Sequence, residues 1–550
     1  MTIINLSASQ NLDKWYKLLH YQNNENLIIS NEFYLSNSNY PSPKEELDST
    51  IGMLNSKLGF ETACNFPARY KYLKDNNYEV PNFNLKKCVD LNNYIKSFSK
   101  DKINLVFSSE YTNNPSSAFG HIMLLFSDKN KSIEESDVIH FAAQTPRTDG
   151  FFKYSYKGLS GKYNGYFIRE PFFKKLHEYN TLEQRYLYVY ELDFKKEQIE
   201  FLLYHLYELR KATFKYYFFD VNCASQISDL LALIDDRNAK SNYNFYLPIY
   251  SLMDFENRIT NQKSFMPTIN KINYLINKMT PEEKKLFFNN IKYSNKVDES
   301  YTNILKESIQ LNTILKFRKF NIVDKNYENV MNQTFIKNEI IDTQKHPLKK
   351  VKPTNLELGY LKTYDNFIFL KYRPLFTELN DFQFNNLQKS EINTLTWEVL
   401  LNNSNSKLNY LNLINIKSLP KQLTFYNPLS WSLYLGLNRL NSYNDLKINT
   451  EAGFGRTFNI IENLHSSLLI NLGFDNENIY LKPFVYLDYE FETFKLSTKY
   501  EYKTYLNKDY FYNYSLSLSK KFNDKFLNFE ISNLSSYDEL DYKLSFKINF

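Results

Sequence analysis

From about residue 355 to the C-terminus, apolar and polar residues alternate with a period of two. In the last segment Tyr542, Leu544, Phe546, Ile548 and Phe550 alternate with Lys543, Ser545, Lys547 and Asn549. The same pattern sets Tyr512, Tyr514, Leu516 and Leu518 against Asn513, Ser515, Ser517 and Ser519, and Val485, Leu487, Tyr489 and Phe491 against Tyr486, Asp488, Glu490 and Glu492. Strands place successive side chains on opposite faces, so each segment predicts one apolar and one polar face. About twelve such segments of roughly ten residues can be traced, a length that crosses a bilayer when tilted. The pattern predicts an antiparallel transmembrane β-barrel over 355–550, with one face toward lipid and the other toward a wet lumen. A soluble β-sandwich is the alternative; interleaved charges and aromatics with few glycines or prolines favour the barrel.

Upstream the periods differ. Residues 1–100 open with a helical pattern around Trp15, Leu18 and Leu19 and pass through a Pro/Asn-punctuated region to Cys64-Asn-Phe-Pro-Ala-Arg69, a small helical module. Between 101 and 260 short apolar runs at 103–107, 121–126 and 138–143 predict strands. A helix over about 196–211 carries Ile199, Leu202, Leu203, Leu206 and Leu209 on one face, and another opens at Cys223 with Ile227, Leu230, Leu231 and Ile234 in helical register. The charged, Asn-rich tract 261–354 reads as a helical connector. Within it, Thr280-Pro281-Glu282-Glu283 has the cap, proline and acidic first turn of a helix start.

Length and charge narrow the picture. A chain of 550 residues exceeds one core and calls for several modules. Its 67 basic and 61 acidic residues nearly cancel, and no Lys/Arg stripe suits a phosphate backbone, which excludes nucleic acid as a partner. Mean hydropathy is −0.51 and no run approaches 18 apolar residues, so a membrane-spanning helix is excluded while a barrel is not. Met1–Leu12 lacks the apolar core of a secretory signal; Ser7, Ala8 and Ser9 read as the remains of a cleavage region, with the signal removed or the start placed late. The three cysteines are unevenly placed. In an oxidising periplasm Cys64 and Cys88 would pair and leave Cys223 free; in a reducing cytosol all three would be buried thiols.

Cys223, in Asn222-Cys223-Ala224-Ser225, stands at the start of its helix, where the dipole and free N–H groups favour a thiolate. Asn222 is the candidate cap and the Cys223 N–H a candidate oxyanion donor. The bland alternative is an inert small hydrophobe. A nucleophilic cysteine needs a base, and His121, which follows the turn-forming run Asn113–Gly120 and opens a strand, is the best placed of seven histidines. His140, on the next predicted strand, is the candidate third member that orients the His121 ring. His177 and His205 read as structural. No spacing resembles a zinc site, and neither a metal nor another cofactor is expected.

The segments NPSSAFGHIMLLF (114–126), GLSGKYNGYF (158–167) and YYFFDVNCASQISDLL (216–231) resemble the Lnb N-terminal periplasmic domain family. WYKLLHY with CNFPARYKYL resembles the helical module that often precedes this domain, the barrel pattern resembles one that often follows it, and the final Phe550 resembles the terminal aromatic of bacterial outer-membrane barrels. His before Cys, with Asn beside the Cys, is also similar to the permuted papain-like fold of NlpC-related and lecithin retinol acyltransferase-like enzymes. Relatives carry Asn in an Asn-Tyr-Gly-Ala run where this chain has His140-Phe141-Ala142-Ala143; either side chain can orient an imidazole. The resemblance implies an α+β domain at 101–260 and an outer-membrane location with a periplasmic catalytic domain. It also implies acyl transfer through a Cys223 thioester, from a phospholipid or other envelope acyl donor to an amine, such as a lipoprotein N-terminus. Gly158, Gly161 and Gly165 would shape a loop over the site or form a plain structural turn. Named enzymes of the family carry transmembrane helices after this domain, where this chain carries the barrel pattern. Two rival readings stay open: an NlpC-like peptidoglycan amidase or endopeptidase, and a non-enzymatic outer-membrane channel with a periplasmic binding domain.

Overall fold

Proline and capping residues set the N-terminal helices. α1 (12–18) buries Trp15 and Leu18; after the short hairpin of β1 (Tyr21–Gln22) and β2 (Glu25–Asn26), α2 (Pro43–Leu54) starts on Ser42, whose hydroxyl accepts from Glu45 N while Glu45 accepts from Ser42 N. α3 (Gly59–Asn65) and α4 (Pro67–Asp75) follow, then α5 (Val89–Lys96). A Cys64–Cys88 disulfide joins α3 to the residue that precedes α5, as expected from the cysteine spacing, and Cys223 is the remaining, free cysteine. Alkylation without reductant should therefore label one cysteine. Cys64→Ser should lower the stability of this module by about 3 kcal/mol in the chain-entropy model, read as an earlier melting transition; labelling of all three cysteines would contradict an oxidising location.

The structure is a computed structural model that describes residues 12–550 except 112–118, 147, 236–244, 294–296, 321, 323–326, 333–346, 350–351, 384–387, 404, 440–444, 462, 477, 507–509 and 535–539. The run 112–118 before the strand of His121, and the stretch bearing Ser7, Ala8 and Ser9, lie outside the described residues. The chain divides into two compact units, Met1–Lys271 with Leu311–Tyr327, and Ile272–Gln310 with Glu328–Phe550.

In the first unit the three apolar runs are strands: β3 (Lys102–Ser108), β4 (His121–Ser127) and β5 (Asp137–Ala143). With β6 (Tyr163–Pro171), β7 (Leu187–Leu192), β8 (Phe214–Tyr216) and β9 (Ile259–Phe265) they form an antiparallel sheet in the order β8-β6-β5-β4-β3-β7-β9. β3 and β4, central in this order and almost wholly buried, are continuous apolar runs for that reason. Helices α6 (Phe151–Leu159), α7 (Phe172–Leu176), α8 (Lys196–Glu208) and α9 (Cys223–Ile234) follow, and α9 packs on both β4 and β5. The helical module is joined to α8 by charge: the buried Glu208 carboxylate accepts from Ala68 N (2.7 Å) and Arg69 N (3.0 Å) in the first turn of α4, and Arg69 reaches Glu46 at 2.6 Å.

In the second unit a helix begins at Pro281, where Thr280 and Glu283 form a reciprocal capping box. From Asn355 the chain forms a closed antiparallel barrel of twelve staves, the number expected from the alternation. The first strand, β10 (Asn355–Lys362), pairs with the last, β23 (Asp541–Asn549), from Asn355↔Asn549 to Lys362↔Tyr542. Two staves are broken. β11 (Asn366–Arg373) continues past Pro374 as β12 (Leu375–Thr377), and β13 (Gln388–Thr394) passes Leu395, at φ 53°, into β14 (Thr396–Leu401). The faces sort as the period requires: Leu544, Phe546 and Ile548 are 49%, 45% and 39% exposed, whereas Ser545, Lys547 and Asn549 are 4%, 2% and 2%. An apolar exterior around a polar interior suits lipid, not water.

The lumen departs from the wet channel expected from the alternation. At the end where the chain enters the barrel, residues 378–383 turn inward and bury Leu379, Asp381 and Phe382. Asp381 accepts from Arg373 (2.5 Å) and Lys547 (2.6 Å), Lys495 donates to the carbonyls of Leu379 and Asp381, and Phe382 packs on Phe526. The inward-facing charges that alternation implied are thus used to hold a protein segment.

Candidate functional site

Asn222 organises the start of α9. Its side-chain oxygen accepts from Ala224 N (2.9 Å) and Ser225 N (3.1 Å), and its amide donates to the carbonyls of Phe218 (2.9 Å) and Tyr246 (2.8 Å); Asn222 N donates to the Ser225 hydroxyl at 3.0 Å. Asn222 is therefore a cap and also a clamp on two loops. Asn222→Ala should cost about 2 kcal/mol, combining a lost cap with unpaired buried carbonyls. Amide exchange at Ala224 and Ser225 should accelerate roughly 30-fold, the equivalent of that energy; unchanged protection would show that the cap carries nothing.

Cys223 follows, 8% exposed. The helix start alone predicts a thiolate, but burial pushes the thiol up to about 11; the N–H groups of Ile122 and Ala224 and the charge of Arg185 oppose this without overcoming it. The resting sulfur is therefore a thiol. Ile122 is the residue after His121, so β4 brings the start of the histidine strand to the sulfur. Gly120, at φ +90°, makes this entry: a Cβ there would lie 2.8 Å from the Ser108 carbonyl.

His121 opens β4 opposite Ser108 of β3. Its Nε2 is buried without a hydrogen-bond partner, and burial, with the nearby His140, Arg185 and Lys175, holds the imidazole neutral, well below its ordinary value. Among the described residues no hydrogen bond joins its ring to Cys223. The His140 ring lies 5.8 Å from it, edge to face, on β5. A thiol raised by burial thus meets the backbone N–H of Ile122, the residue next to a neutral imidazole.

Gly158, Gly161 and Gly165 lie under the segment that leads to Cys223. Gly158, in α6, would meet the Phe218 ring at 2.2 Å with a Cβ; Gly161, at φ +68°, would meet Tyr217 at 2.2 Å; Gly165, on β6, would meet Phe141 at 2.3 Å. They admit aromatic packing below the site. His205 stacks on His20, Nε2 to Nε2 at 3.1 Å, and His177 lies beside Arg318.

Sequence reasoning missed three neighbours. Glu170 of β6 reaches His140 Nε2 at 3.2 Å; Tyr179 lies 6.1 Å from His121; buried Arg185 donates to the Ser109 carbonyl, pairs with Glu183 at 2.7 Å and covers the Tyr179 ring. Each is a single polar residue in a strand, turn or irregular helix, and only strand register could have flagged Glu170. Half-buried Phe119, Phe219 and Phe245 form a ring chain with centroids 5.7 and 5.5 Å apart, flanking Gly120-His121 on one side and Asn222-Cys223 on the other. Among the described residues no cluster of three or more His, Cys, Asp or Glu side chains could hold a metal ion.

A closed barrel with an apolar exterior, on a chain that also carries a separate α/β unit, defines an outer-membrane β-barrel protein with a periplasmic domain. Residues 90–254 match the Lnb N-terminal periplasmic domain, so the chain carries a domain of that family. Residues 346–548 match a domain of unknown function (DUF7840) and residues 8–76 another (DUF7843). No curated protein sequence matches the chain. Among solved structures, the KdgM porin is 14% identical over 36% of this chain and 99% of its own, with a TM-score of 0.24. The NanC porin is 8% identical over 36% and 98%, with a TM-score of 0.23. An outer membrane channel from Pseudomonas putida F1 is 11% identical over 39% and 100%, with a TM-score of 0.25. The barrel assignment rests on the closed strand ladder and its outward apolar face.

Proposed function

We propose that the periplasmic domain is a cysteine acyltransferase that takes an acyl chain from a phospholipid ester onto Cys223 and passes it to an amine. His121 takes the thiol proton as the sulfur attacks the ester carbonyl, and returns it to the departing glycerol oxygen, leaving a lysophospholipid and a thioester. The amine then attacks the thioester, its proton leaves through His121, and the thiol is restored with an N-acyl product. The observation that carries the lipid reading is the chain of half-buried rings Phe119–Phe219–Phe245, which joins the segment entering His121 to the one entering Asn222-Cys223 in apolar contact. Peptidoglycan, a polar polymer, gains little from such a chain. His before Cys, strand before helix, is also the order of the permuted papain-like enzymes that the sequence resembles. The free amine of a lipoprotein N-terminus is the acceptor that the family resemblance suggests.

The test is intact-mass analysis of the full chain, folded in detergent, after incubation with phosphatidylethanolamine vesicles. A hydroxylamine-labile adduct of one fatty acyl chain, released by an added peptide amine, is the expected result. No adduct, together with cleavage of peptidoglycan fragments, would move the assignment to an amidase.

A further inference from the structure

His140 is 4% exposed and pairs with Ile168 across β5 and β6, which places Glu170 diagonally beside it on the same face. The Glu170 carboxylate lies 3.2 Å from His140 Nε2. That contact assigns the neutral tautomer: Nε2 carries the proton toward Glu170 and Nδ1 is left as an acceptor. Nδ1 of His140 is buried and without a partner, and so is Nε2 of His121 on the neighbouring ring. Two orphan nitrogens on adjacent buried rings are costly, and such groups persist where they are used. We infer that Glu170 is a positioning residue: through His140 it provides an acceptor for the His121 Nε2–H and so leaves His121 Nδ1 to take the proton of Cys223. This rests on the reading of Cys223 and His121 as nucleophile and base.

The charges around this line are few. Lys175 of α7 sits 3.0 Å from Glu170 and 2.9 Å from Glu178 and lies 5.8 Å over the Tyr179 ring, which is 6.1 Å from His121 and is also covered by Arg185. The His140 bond, assisted by Lys175, holds Glu170 down to about 2, so its charge is present throughout the working range. Lys175 competes with His140 for that charge. Removing Lys175 should therefore act opposite to removing the carboxylate.

The experiment follows the rate at which methyl methanethiosulfonate modifies Cys223, the free cysteine, in the full-length detergent-folded protein between pH 6 and pH 11. It needs no substrate. Glu170→Gln should slow modification about tenfold near pH 7 and leave it unchanged near pH 11, where the thiol ionises without a base; Glu170→Asp should recover most of the loss. Lys175→Met should quicken modification near pH 7, and it carries the test alone if Glu170→Gln fails to fold. Superimposed profiles, or an equal fall at both ends of the range, would overturn the assignment and leave Glu170 as a partner of Lys175 only. Should these shifts appear while no lipid adduct forms, the positioning role stands and only the acyl donor is wrong.

Discussion

On the proposed acyl-transfer reading, Cys223→Ala should abolish acyl-enzyme formation and turnover, and His121→Ala should lower the rate at pH 7.5 by roughly 10²–10⁴-fold, the range of a lost general base. The first change removes one sulfur from a site that stays packed by Ile227 and the β4 backbone, so the domain should remain folded, with a change in stability of about 1 kcal/mol. The second bears on proton transfer. With the thiol raised to about 11, only about one molecule in several thousand is ionised at pH 7.5, so the proton must be taken at the moment of attack. The sign of the pH dependence follows. Without His121 the rate should rise about tenfold per pH unit up to about 11, as the thiol comes to ionise by itself, while the wild type rises less steeply because its imidazole is already neutral and able to accept. Single-turnover acylation across pH 7–10 separates the two slopes; parallel profiles would remove His121 from the base role.

Asp381→Ala should destabilise the barrel by about 3–5 kcal/mol, because it removes the carboxylate that buried Lys547 pairs with and leaves buried Arg373 only its longer, 3.5 Å pair with Glu378. Asp381 is 0% exposed, and its carboxylate also accepts from Glu378 N at 2.9 Å, so the substitution loosens the inward segment as well, although the backbone carbonyls of Leu379 and Asp381 still hold Lys495. The urea midpoint of the β-signal should fall, and planar-bilayer conductance should rise from near silence as the segment leaves the lumen. The double change Asp381→Leu with Arg373→Met should be milder than Asp381→Ala alone, since removing both partners avoids the desolvated charge. An unchanged midpoint and unchanged conductance in Asp381→Ala would show that the segment does not close the barrel. The result also bears on the channel reading, which requires an open path past this inward segment.

Period-two alternation by itself gave the barrel strands, about twelve in number, and the outward set Leu544, Phe546 and Ile548, because which residues repeat every second position is a local property of the chain. Local rules likewise determined the start of α9 at Asn222 and Cys223 and the strand of His121, whereas the Cys64–Cys88 pairing was expected only on the condition of an oxidising location. Tertiary structure decided the rest. Whether Cys223 rests as thiolate or thiol is a competition between helix N–H groups and burial, and burial is fixed by strands and loops more than a hundred residues away. Glu170 reaches His140 through the register of β5 on β6, which alternation alone does not set. Asp381 reads in sequence as a turn residue before a strand; that it stands between Arg373 and Lys547 follows only once the last stave has closed against the first and buried all three side chains.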